Sequence, residues 1–163
     1  MKNNRSIKRE GFTLVELLIV IVVIGVLSAM MMLSSTEAVS SAKASNIISN
    51  LRNLKTAALS LYTSSLDQVK STQPKMAHVQ RYLNGDTLDT NVYNIVFKGV
   101  SNNNYEAASW YITCKVTDAN VKAKLASRAG SVGLLAGKSS VTTPPDNETT
   151  NYTNGDYVCL KVR

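Results

Sequence analysis

From Phe12 to Leu33 the chain reads FTLVELLIVIVVIGVLSAMMML, and among apolar residues and Gly25 only Thr13, Glu16 and Ser28 intervene. As a helix this run of 22 residues is about 33 Å long, enough to cross the hydrocarbon core of a bilayer. A segment apolar on every side must be buried by something other than a small domain, so it limits the chain more than any other feature. Ahead of it lie Lys2, Arg5, Lys8 and Arg9 against a single acid, Glu10. That cluster contributes +3 of the net +7. Positive charge flanking an apolar span stays on the cytoplasmic side, so everything after Leu33 is expected outside. The basic balance thus reports topology. No Arg/Lys stripe interleaved with aromatics follows, which argues against a nucleic-acid ligand.

Three readings compete for this segment. A cleavable secretory signal fits the charged start and a small-residue site at Leu27-Ser28-Ala29. Its apolar stretch is too long, however, and contains an acid. A plain signal anchor fits the length and leaves Glu16 unexplained. A carboxylate inside a membrane helix is costly and marks a functional position whose partner must be named. Placement in the first turn, near the interface, softens that cost.

The third reading supplies the partner. Gly11-Phe12-Thr13-Leu14-Val15-Glu16, continuing through Leu17-Leu18-Ile19-Val20-Ile21 and Gly25, closely resembles the prepilin-peptidase site of type IV pilins and pseudopilins. The resemblance by motif covers residues 1–33. It implies three parts: a basic leader over 1–11 that is removed, a transmembrane and filament-core helix over 12–33, and a head over 34–163. It implies cleavage between Gly11 and Phe12 by a membrane peptidase that also N-methylates Phe12. In the assembled filament it implies that Glu16 of one subunit compensates the Phe12 amine of a neighbour. Removing one partner of such a buried pair is strongly destabilising. The implied partners are identical or related pilin subunits, the prepilin peptidase/methyltransferase, an inner-membrane assembly platform and, before assembly, membrane lipid. One departure stands out. Many pilins carry a proline just after the apolar run, where this chain has Met30-Met31-Met32-Leu33. Gly25 is then the one weak point in the helix, and local melting in a filament is expected to be smaller.

The expected fold is α+β and pilin-like, with a long N-terminal helix and an antiparallel sheet in the head. No Pro or Gly occurs between Gly25 and Pro74, so one helix is expected from Phe12 to Ser71. Its second half carries an apolar stripe at Val39, Ile47, Leu51, Leu54, Ala58, Leu61, Leu66 and Val69. A short helix is expected from Lys75 to Leu83, ended by Asn84-Gly85. Strands are expected around Tyr93, Ile95 and Phe97, and around Trp110, Ile112, Cys114 and Val116, joined through Asn102-Asn103-Asn104. Thr117 or Asp118 caps a helix bearing Val121, Leu125 and Ala129, stopped at Gly130. Residues 139–155, rich in Ser, Thr, Asn and Pro, read as an exposed loop. A last strand covers Asp156 to Val162.

Two cysteines, Cys114 and Cys159, fit no zinc or redox spacing. Beyond a membrane they would sit in an oxidising compartment. The resemblance implies a disulfide between them that staples the last segment to the sheet. Parity argues the other way: Cys114 is on the apolar side of its strand, whereas Cys159 alternates with Val158, Leu160 and Val162. His78, the single histidine, is expected to be a surface or packed residue. The patterns at Asn147-Glu148-Thr149 and Asn151-Tyr152-Thr153 match N-glycosylation acceptors by composition alone. No nucleophile set, phosphate loop, metal cluster or cofactor motif is legible. The resemblance implies a structural subunit of a type IV pilus filament serving adhesion, twitching motility or DNA uptake, with a type II secretion pseudopilin as the alternative. A membrane-anchored enzyme or binding module is the more distant alternative.

Overall fold

The computed structural model describes residues 11–65, 69–70, 72–83 and 87–163, with the backbone alone at residues 33 and 34. The chain falls into two units with the boundary between Ala38 and Val39. Helix α1 spans Leu14–Ser64. Of the extension expected to Ser71, residues 66–68 and 71 lie outside the described residues, as does Asn84-Gly85.

The first unit contains the apolar half of α1. Its large side chains are exposed, from 49% at Val23 to 92% at Phe12. Among the described residues α1 is the one helix long and apolar enough to cross a membrane. The helix continues through Gly25.

The second unit is an α+β head. Inside it α1 is amphipathic and buries Ala44, Ile48, Leu51, Leu54, Ala58 and Leu61. The expected stripe thus shifts: Val39 is exposed, Ile47 only partly buried, and Ala44 and Ile48 take the inward positions. The short helix α2 covers Met76–Gln80, less than the expected span to Leu83. Strands β1 (Tyr93–Lys98), β2 (Ser109–Lys115), β3 (Leu134–Ala136) and β4 (Tyr157–Lys161) form one antiparallel sheet in the order β1-β2-β4-β3. Helix α3 (Ala119–Val132) lies between β2 and β3 in sequence.

Local chemistry explains most boundaries. Asn102 and Asn103 both take positive φ, 50° and 58°, and the Asn104 N–H donates to the Ser101 carbonyl at 2.9 Å. Asparagine tolerates this left-handed pair, which suits a tight connection between antiparallel strands. Asp118 caps α3 by accepting from the N–H groups of Asn120 and Val121 at 3.0 and 3.3 Å. The helix runs past Gly130, the expected stop. It ends at Gly133, whose φ of 76° supplies the left-handed residue that closes a helix. Arg128 then ties α3 to α1 by donating to Ser45 Oγ at 2.7 Å and Ser41 Oγ at 2.9 Å.

One face of the sheet, with Tyr93, Ile95, Trp110, Ile112, Cys114, Val158 and Leu160, shares a core with α1, α2 and α3. Trp110 is fully buried there, edge-on to Tyr62 and Phe97. The opposite face buries Val96, Tyr111, Leu135 and Cys159. Residues 138–148, all but the first within the stretch 139–155 expected to be an exposed loop, lie across this second face. Thr113 Oγ1 donates to the Val141 carbonyl. Lys98 Nζ donates to the carbonyls of Pro145 and Asp146 at 3.2 and 2.9 Å. Pro145 is buried, while residues 146–151 are exposed.

The implied disulfide is not formed. Both thiols are free and buried. Cys159 faces Thr113 across the β2–β4 ladder and Cys114 faces Val158. Alternation then directs the two cysteines to opposite faces, and bridging them would require a register slip. The parity of β4 was the sounder guide.

Candidate functional site

The residues singled out at the N-terminus occupy the start of α1. Gly11 and Phe12 precede the helix and are exposed. Thr13 is its N-cap: the Thr13 carbonyl accepts the Leu17 N–H at 3.2 Å, and Thr13 Oγ1 accepts the Glu16 N–H at 3.2 Å. Glu16 reaches back, its Oε2 accepting from the Thr13 N–H and Oγ1–H, each at 2.8 Å. This is a reciprocal capping box, in which two N–H groups that lack partners within the helix are satisfied by side chains. A carboxylate in the first turn also suits the positive end of the helix dipole.

Glu16 therefore has a partner within its own chain. The signal was present in the sequence as Thr-x-x-Glu before an apolar run, and motif reading centred on the acid passed over it. The cap does not exhaust the carboxylate, since Oε1 makes none of these bonds and a cation can approach it. Phe12 stands one residue from the cap. An amine generated at Phe12 would begin the chain next to the Thr13 N–H that Glu16 already accepts.

The other singled-out residues are placed elsewhere. Gly25 lies within α1 with nothing inside 4 Å of a Cβ built on it, so the space around it is open. Cys114 and Cys159 are in the sheet, separated by its plane. His78 lies in α2, where its Nδ1 accepts from the Lys75 N–H at 3.3 Å, a local turn contact. Among the described residues no group of three or more His, Cys, Asp and Glu side chains is placed to hold a metal ion.

Residues 7–32 match the family model described as the prokaryotic N-terminal methylation motif. The match spans the cap, Glu16 and the apolar half of α1. Comparison with curated proteins and with solved structures returns no match.

Proposed function

Because the chain carries the prepilin-type methylation motif of type IV pilins and pseudopilins, we propose that it is a structural subunit of a type IV pilus filament. In this reading the segment to Gly11 is a leader, cut on the cytoplasmic face of the membrane. Phe12 becomes the methylated N-terminus, and α1 serves first as anchor and then as the core of the filament. The head lies outside the membrane, on the periplasmic or extracellular side.

The carrying observation is the coincidence of Gly11-Phe12, the Thr13–Glu16 box and an exposed apolar helix in one segment. Among the described residues of the first unit these apolar side chains are exposed. A bundle of identical helices covers them, at the cost of burying each Glu16. The Phe12 amine of a neighbour offsets that burial by facing the carboxylate oxygen left free by the cap. The cap keeps the carboxylate oriented before any neighbour arrives.

A pseudopilin of a type II secretion machine uses the same chemistry. The absence of proline over Met30-Met31-Met32-Leu33 favours this second reading. One measurement separates the two: the intact mass of the protein in filaments sheared from cells and in the membrane fraction. An abundant sheared species beginning at methylated Phe12 is expected for a pilus subunit. The same processed mass confined to membranes would move the assignment to a pseudopilin. A chain still starting at Met1 beside an active prepilin peptidase would overturn both readings. Glu16→Ala is expected to insert normally and to assemble poorly, and normal filaments from that variant would refute the charge pair.

A further inference from the structure

Gly133 is required by its positive φ and Gly137 by the close approach of Tyr157. Gly155 answers to neither demand. Its φ is not positive, and a Cβ built on it comes no nearer than 3.6 Å to the Tyr157 carbonyl oxygen, an ordinary contact. What Gly155 supplies is a backbone nitrogen with no side chain beside it, directly after Asn154.

Both residues are exposed, in the connection between buried Tyr152 and β4. The ends of that connection are held. The Tyr152 N–H donates to the Leu134 carbonyl at 2.9 Å, and the Val116 N–H donates to the Asp156 carbonyl at 2.7 Å. The Tyr152 hydroxyl donates to the Gly155 carbonyl at 2.6 Å. Among the described residues the Gly155 N–H donates to no protein acceptor. The nitrogens that follow other asparagines are placed differently. Those after Asn46, Asn50 and Asn53 lie inside α1. Those after Asn91, Asn94, Asn103, Asn104 and Asn151 donate to acceptors within the chain. Such a nitrogen must give up a hydrogen bond before it can react. Asn154 is the one described asparagine that precedes a glycine.

We infer that Asn154–Gly155 is a site of spontaneous covalent modification, where the Gly155 nitrogen closes on the Asn154 side chain and the asparagine becomes aspartate or isoaspartate.

Asparagine is among the chemically labile side chains. The Gly155 N–H loses its proton to solvent, and the nitrogen attacks Asn154 Cγ. A new C–N bond forms, the bond from Cγ to the side-chain nitrogen breaks, and that nitrogen leaves with a proton as ammonia. The product is a succinimide. Water then adds to one of its carbonyls. Opening at Cγ gives aspartate, and opening at the main-chain carbonyl gives isoaspartate, with the backbone routed through Cβ. Water enters and ammonia leaves, with no oxidation or reduction. An exposed connection without regular structure samples the ring-closing geometry at lower free energy than the core does. The new carboxylate stands two residues before Asp156, the partner of Lys122. The head thus gains one negative charge as it ages, at a point outside its core.

The test incubates the full chain in detergent micelles at mildly alkaline pH in heavy-oxygen water, followed by peptide mapping with tandem mass spectrometry. Asn154 is expected to yield both aspartate and isoaspartate, each carrying one heavy oxygen, faster than Asn147, which is also exposed but precedes Glu148. Gly155→Ala is expected to slow the reaction by about tenfold, because the methyl group crowds the nitrogen and narrows φ and ψ. The room around Gly155 means that this variant keeps the fold, checked by an unchanged thermal midpoint. Asn154→Gln is expected to lose both products. Aspartate without isoaspartate would indicate direct hydrolysis and overturn the proposal. So would an unchanged rate in Gly155→Ala, or conversion at Asn154 no faster than at Asn147.

Discussion

At the scale of single residues, Gly137 is the most closely approached of the described glycines. A Cβ built there lies 2.7 Å from both the Cβ and the carbonyl oxygen of Tyr157, the oxygen to which the Gly137 N–H donates at 2.9 Å. Gly137→Ala must push the end of β3 off β4, and overpacking of this kind costs about 1–3 kcal/mol. The expected result is a lower thermal midpoint by circular dichroism, with the N-terminal segment unaffected. At the other end of the chain, Thr13→Ala removes the hydroxyl that satisfies the Glu16 N–H. Hydrogen exchange at that amide is expected to accelerate, while amides in the middle of α1 keep their protection. The N-terminal motif was legible because it is a linear stretch, whereas the Thr13–Glu16 cap, although it spans only four residues, was passed over. The sequence also held the Gly137 constraint, but only as a glycine. What makes it a constraint is Tyr157, 20 positions away, brought in by the sheet.

At the scale of elements, legibility followed periodicity. Strand β2 and the Asp118 cap of α3 are both in the structure, although β2 is buried on both faces rather than on one. Asp118→Ala is expected to destabilise the head by about 1 kcal/mol, measured as a shift in denaturant midpoint at constant slope. Strand β3 was missed because three residues carry no period. The end of α3 was misplaced because Gly130 and Gly133 look alike until their φ values are known, and only Gly133 is left-handed. Residues 139–148 belonged to a stretch read as exposed because it is polar, although Thr113 and Lys98 hold its backbone at the second face of the sheet, where Tyr111 and Cys159 are buried. In β4 the residue pattern separated the cysteines correctly, and resemblance to a family overrode it. With both thiols free, a reductant is expected to leave the thermal midpoint of the head unchanged. A drop of many degrees would show that a bridge had formed.

At the scale of the whole molecule, charge ties the outer segments to the sheet and α3. The hydrogen bond from Lys161 holds the Glu148 carboxyl below its ordinary value of 4.5, and that from Lys122 holds Asp156 below 3.8. Folded values below unfolded ones mean that this stability is fully present above the unfolded values. It is lost as pH falls through the folded ones. The thermal midpoint of the head is expected to be level near neutrality and to fall below about pH 4, with Lys161→Met blunting the acid limb. The loop that follows residues 138–148 also has an engineering consequence. Thr149 lies among exposed residues, between Glu148, which pairs with Lys161, and Thr150, whose carbonyl accepts from the Ala136 N–H at 3.2 Å. Lengthening a surface loop costs only about 0.6 kcal/mol per doubling. A foreign peptide spliced after Thr149 would leave the shared core of sheet and helices untouched, making the head a scaffold for epitope display.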